Sequence, residues 1–116
     1  MFRFEELEIW RLAIDYGNKL YDIADSLPRK ELYGLGLQLR KAGLSISNNI
    51  AEGSGASTVK DFRSFLDISI KSTLETVNIL FFALLRRYIS EAQRIQLYEE
   101  AEKLIRKIRA FKKTLR

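Results

Sequence analysis

Residues 32–55 read LYGLGLQLRKAGLSISNNIAEGSG. Within this stretch Leu32, Leu35, Leu39, Ala42, Ile46, Asn49 and Gly53 follow one another at alternating intervals of three and four. That spacing holds all seven on one face of a 3.6-residue helix. Upstream, Pro28 suits a first helical turn, where its missing N–H leaves nothing unpaired. Downstream, Gly53-Ser54-Gly55 reads as a left-handed stop. The spacing therefore predicts a helix over 28–52. Gly34, Gly36 and Gly43 inside it each cost about 1 kcal/mol against alanine, which makes sense where another backbone comes close.

Working outward, Leu7, Trp10, Ile14, Gly17, Tyr21 and Ala24 form a second seam of the same period, predicting a helix over 5–26 that stops before Pro28. Thr58 with Asp61 three residues later resembles a capping box and opens a helix over 59–88, with Phe62, Phe65, Ser69, Ser72, Thr76, Ile79 and Ala83 on its seam. Ser90 with Gln93 opens a last helix over 91–115, whose seam is Ala92, Ile95, Leu97, Ala101, Leu104, Ile108, Phe111 and Leu115. Nothing alternates with the period of a strand. Four helices joined by short links predict an all-α antiparallel up-down-up-down four-helix bundle, one domain over 1–116.

Composition removes most chemistry. The 116 residues contain no histidine and no cysteine. The commonest general base, the usual transition-metal ligands, thiolate nucleophiles and disulfides go with them. No catalytic residue, metal or cofactor is expected, and the reading is a non-enzyme. The longest unbroken apolar run, Ile79 to Leu85, falls far short of the roughly 18 residues of a membrane span. The N-terminal Met1-Phe2-Arg3-Phe4-Glu5-Glu6 lacks an apolar signal core. The expectation is a cytoplasmic protein without a membrane partner.

Three groups of residues carry the functional reading. The last fourteen residues hold seven of the 20 basic side chains (Lys103, Arg106, Lys107, Arg109, Lys112, Lys113 and Arg116) and none of the 15 acidic ones. Such a run either complements the helix dipole and keeps the surface solvated, or meets a polyanion. The seven spread around the helix in the reading at 100° per residue, which points to diffuse phosphate contact. RNA is the first candidate partner, other nucleic acid the second, and an acidic protein surface the alternative.

The second group is the apolar surplus of helix three, where Ile68, Ile70, Leu74, Val77, Phe81, Phe82 and Leu85 lie off the seam. One small bundle does not cover a helix apolar on most sides, so a homo-oligomer is expected, with Ile70, Leu74, Val77, Phe81 and Phe82 at its interface. The third group is polar and near the seams: Asn49 and Glu52 on helix two, Ser72 and Glu75 on helix three, with Ser45 nearby. A carboxylate pair for acid–base work or Mg²⁺ is one reading. A hydrogen-bonded core network that fixes helix register is the other, and the missing reagents favour it.

Leu27-Pro28, Glu31, Tyr33-Gly34-Leu35, Gln38, Arg40-Lys41-Ala42, Ser45-Ile46 and Asn49-Ile50-Ala51-Glu52-Gly53 closely resemble the central signature of the four-helix-bundle protein family, also called the 23S rRNA intervening-sequence protein family. The resemblance extends to Leu7, Ile9, Trp10, Ala13, Phe65-Leu66, Ser72 and Glu75. Lys41, Asn48 and Lys71 depart from it, standing where arginine, alanine and glycine are frequent. The resemblance implies a bundle that assembles as a homopentameric ring. It also implies a choice between nucleic-acid association and an accessory role beside a partner protein, as in the branch that serves reverse transcriptases through a basic surface.

Overall fold

The computed structural model describes all residues, 1–116. After a 3-10 turn at Arg3–Glu6 come four helices: α1 (Glu8–Ser26), α2 (Leu35–Ser54), α3 (Val59–Leu85) and α4 (Glu91–Thr114). There is no strand. Each helix packs on its sequence neighbours, α4 closes against α1, and the backbones of the diagonal pairs stay apart.

Bonds between helices show the directions. Ser45 meets Ser72 at 2.8 Å, while Gly53 abuts Phe62 and Phe65, so α2 and α3 run oppositely. Lys112 pairs with Asp67 whereas Tyr98 meets Phe81, and Lys107 pairs with Glu8 whereas Glu100 pairs with Lys19. Both pairs of helices, α3 with α4 and α1 with α4, are antiparallel.

α3 is long and apolar enough to cross a membrane by length and composition, with a mean hydropathy of 1.5 over 18 residues. Its middle is hydroxylated instead, and every hydroxyl is used. Ser69 donates to the Ile46 carbonyl at 2.9 Å, Thr73 to the Ser69 carbonyl at 2.8 Å, and Ser72 bonds Ser45. Buried hydroxyls are tolerated because they are paired, and their small size lets α2 come close. α3 is the core helix of the bundle.

Helix two starts seven residues later than the 28 expected. Arg29–Glu31 form a 3-10 turn and Leu32 is exposed. Glu31 sets the boundary: its carboxylate accepts from the Leu35 N–H at 3.2 Å and from the Tyr88 hydroxyl at 3.0 Å. A Cβ on Gly34 would lie 2.6 Å from that carboxylate, and one on Gly36 lies 2.8 Å from the Glu31 carbonyl. These glycines make room for a turn, not for a neighbouring helix. Gly43 does meet another helix, facing Leu20 and Gly17 of α1.

Gly53 is not a left-handed stop, since no glycine has a positive φ. It lies within α2, and a Cβ there would come 2.8 Å from the Phe65 Cβ. The left-handed residue is Arg87, at φ 63°. It closes α3 at Leu85 as Tyr88 N–H reaches the Ala83 carbonyl at 2.8 Å and Arg87 N–H reaches Leu84 at 2.9 Å, the paired bonds of a Schellman cap.

The seam of α1 is rotated in part from expectation, while that of α4 holds from Leu97 to Leu115. In α1 the buried residues are Ile9, Ala13, Tyr16, Gly17, Leu20, Ile23 and Ala24, so the expected Gly17 and Ala24 are inside while Ile14 and Tyr21 are exposed. In α4 burial begins at Leu97, with Ala92 and Ile95 exposed. Those two stand near the start of the helix on a side turned from the core, which at this end takes Ile89 instead.

Candidate nucleic-acid interface

α4 carries the basic run, and its start is fixed by a reciprocal cap. Ser90 Oγ accepts from the Gln93 N–H at 3.1 Å, and Gln93 Oε1 accepts from the Ser90 N–H at 2.8 Å. Leu97, Ala101, Leu104, Ile105 and Ile108 turn inward, which leaves the charged positions on two flanks.

The flanks differ. On the α1 side Lys107 is bound to Glu8 at 3.3 Å, and Lys103 stands beside the Lys19–Glu100 pair. At the far end Lys112 is bound to Asp67, and Arg116 is exposed beyond the helix. On the α3 side Arg106, Arg109 and Lys113 line a single groove, and none of them pairs with a carboxylate. The seven cations thus lie on more than one side of the helix, as their spacing suggests, but not equivalently. Two of the seven cations are neutralised locally and three form a stripe spanning about 10 Å along the helix axis, at 1.5 Å per residue.

The groove between α3 and α4 measures about 710 Å³. Leu74 and Val77 line it from α3, and Tyr98, Ala101, Ile105 and Ala110 from α4. Glu102 lies on the same line as the cations, one turn before Arg106. At the Tyr98 end an aromatic cluster is already ordered. Phe81 and Tyr98 meet edge to face at 6.2 Å, and the Arg94 guanidinium sits 4.5 Å from the Phe81 centroid and 5.5 Å from that of Tyr98. Glu91 holds that guanidinium at 2.6 Å. Tyr98 and Arg94 escaped the sequence reading, although positions 98, 102, 106, 109 and 113 share a helical line.

The expected subunit-contact residues divide into three. Ile70 is buried in the chain's own core at 8% exposure and presents nothing to a partner. Leu74, Val77 and Phe81 lean toward α4 and shape the groove and its aromatic end. Phe82 is exposed and, with Ile68 and Leu85, stands on the outer ridge of α3.

The polar group also divides. Asn49 Nδ2 donates to the Ser45 carbonyl at 2.8 Å and to Ser45 Oγ at 3.0 Å, and Ser45 bonds Ser72. Those hydrogen bonds link α2 to α3. Glu52 and Glu75 are exposed on those helices and take no part in it. The deepest polar pair was missed. Tyr16 of α1 bonds Thr76 of α3 at 2.8 Å across the bundle centre, and burial, the largest influence, pushes its hydroxyl pKa up to about 12.

The family model described as "23S rRNA-intervening sequence protein" matches residues 5–110. Among solved structures the chain is similar to a protein of unknown function from the S23 ribosomal protein family of Bacteroides thetaiotaomicron VPI-5482. The two share a TM-score of 0.84 at 20% identity, over 91% of this chain and 99% of that one. No curated protein matches.

Proposed function

The chain belongs to the 23S rRNA-intervening sequence protein family, and on that premise we propose that it is a non-enzymatic, cytoplasmic, oligomeric protein that binds nucleic acid, RNA foremost. The observation that carries the reading is the stripe of Arg106, Arg109 and Lys113, unpaired beside an open groove while Lys107 and Lys112 are bound to acids of the same chain. A cation spent on a neighbouring carboxylate serves the bundle; one left free keeps its field for an incoming phosphate. Lys103 and Arg116 add to that field from the flanks. Binding of this kind releases counterions, depends steeply on salt and reads little sequence.

Assembly follows from the outer ridge of α3, where Ile68, Phe82 and Leu85 are 43%, 53% and 76% exposed. A second copy is the most economical cover. The family resemblance favours a pentameric ring, which would gather five stripes and raise avidity for a long polyanion without new contacts.

A second reading, a scaffold for a partner protein, draws support from the apolar floor of the groove, where Leu74, Val77 and Ile105 offer nothing to phosphate. One titration separates the two. Polarisation against RNA, single-stranded DNA and duplex DNA at two salt concentrations should give binding that weakens sharply as salt rises. If none of the three binds at low salt, the nucleic-acid reading fails and the scaffold stands.

A further inference from the structure

The groove has two features that phosphate contact alone leaves unused: a bare apolar floor and an aromatic end. We propose that the α3–α4 groove takes single-stranded nucleic acid, with unpaired bases on Tyr98 and the floor and phosphates on Arg106, Arg109 and Lys113. The inference rests on the nucleic-acid reading above and deepens it.

A duplex presents phosphates outside and keeps its base faces stacked within. It can meet the cations but leaves Leu74 and the half-buried Val77 without a partner. A single strand offers a charged edge and apolar faces together, the combination this groove matches. About 710 Å³ is room for a few bases.

The charges divide the groove along its length. Tyr98 lies about 12 Å from Arg106 and about 22 Å from Lys113 along the helix axis. Glu102 stands between Tyr98 and Arg106, so it repels phosphate from the aromatic end and accepts hydrogen bonds from the exocyclic amines of bases placed there. One end is built for bases and the other for phosphates. The aromatic end is also already in contact with its neighbours before any ligand arrives. Tyr98 meets Phe81 at 6.2 Å, beneath the guanidinium that Glu91 pins at 2.6 Å, so stacking on it orders little that is not already ordered.

The test is a polarisation titration of the full chain with a labelled mixed-sequence single-stranded RNA and with its duplex of equal length, each at two salt concentrations. The single strand should bind at least about tenfold tighter. Tyr98→Ala should weaken it about five- to tenfold, the effect of one lost stacked base. Duplex affinity and the salt dependence should stay unchanged, and Tyr98→Phe should restore binding. Equal affinity for strand and duplex, or no loss in Tyr98→Ala, overturns the proposal while leaving phosphate contact intact. A changed oligomeric mass in either variant also overturns it, since Tyr98 would then lie in a subunit contact. Absence of any binding at low salt overturns this and the parent reading together.

Discussion

The Tyr16–Thr76 bond gives a stability prediction whose sign and asymmetry both follow from proton positions. Thr76 Oγ1 lies 2.6 Å from the Thr73 carbonyl, to which it donates its one proton, and 2.8 Å from the Tyr16 hydroxyl. Tyr16 is therefore the donor in the second bond. Both residues are buried, at 2% and 0% exposure. Tyr16→Phe removes a donor and leaves Thr76 still bonded to Thr73, a loss of about 1 kcal/mol. Thr76→Val keeps the shape but strands a buried O–H with no acceptor, which costs about 2 kcal/mol. The double variant removes the stranded group, so it should cost about 1.5 kcal/mol, well below the combined single effects.

In melting temperature the singles should lose about 4 °C and about 8 °C, at about 4 °C per kcal/mol for a chain of this size. Thermal unfolding followed by circular dichroism on the four proteins closes the cycle. If Thr76→Val costs no more than Tyr16→Phe, or the two effects simply add, the donor assignment is wrong.

Three further outcomes are expected. The unfolded chain releases the Tyr16 proton near pH 10 and the folded chain only near 12; the native state then holds more protons, so stability falls as pH rises across that window. The slope is about 1.4 kcal/mol per unit, and urea titrations at successive pH values should find this component missing in Tyr16→Phe. Gly53→Ala gains about 1 kcal/mol of helix propensity but forces a Cβ to 2.8 Å from Phe65 and 2.9 Å from Phe62. The net should be a loss of about 1 kcal/mol in denaturant unfolding, while Gly55→Ala, whose nearest contact is 3.6 Å, should be neutral. Light scattering at micromolar concentration should give a multiple of 13.5 kDa that falls in Phe82→Ser/Leu85→Ser; a wild-type mass of one chain refutes assembly.

Helix number, order and most of α2 and α3 were legible because their seams are long and bounded by caps, Thr58 and Ser90 above all. The start of α2 was not, because its cap is a side chain from outside the helix. Glu31 reaches forward four residues to the Leu35 N–H, a contact that no N-cap rule anticipates. Gly53 was misread for a related reason: a packing glycine and a stop glycine look alike in sequence, and only the ring of Phe62 tells them apart.

α1 carries apolar residues on two adjacent lines, Ile14–Tyr21 and Ala13–Leu20, and periodicity cannot choose between them. The core takes the second, together with the small Gly17 and Ala24 of the first. The seven cations were visible as a cluster. Their partition into bound and free was not, since Glu8 and Asp67 lie 99 and 45 residues from the lysines they hold. The groove needed α3 and α4 side by side before Leu74 and Arg106 became neighbours.

The central claim is that the free stripe on α4 meets phosphate, and the salt dependence of RNA binding tests it directly. Affinity for single-stranded RNA is to be measured across a salt series for the wild type, for Arg106→Gln/Arg109→Gln/Lys113→Gln, and for Lys107→Gln/Lys112→Gln. Three lost phosphate contacts should lower the slope of log affinity against log salt by about 2, whereas removing the two acid-bound lysines should leave it close to the wild-type value. Equal slopes for the wild type and the triple variant would contradict the account.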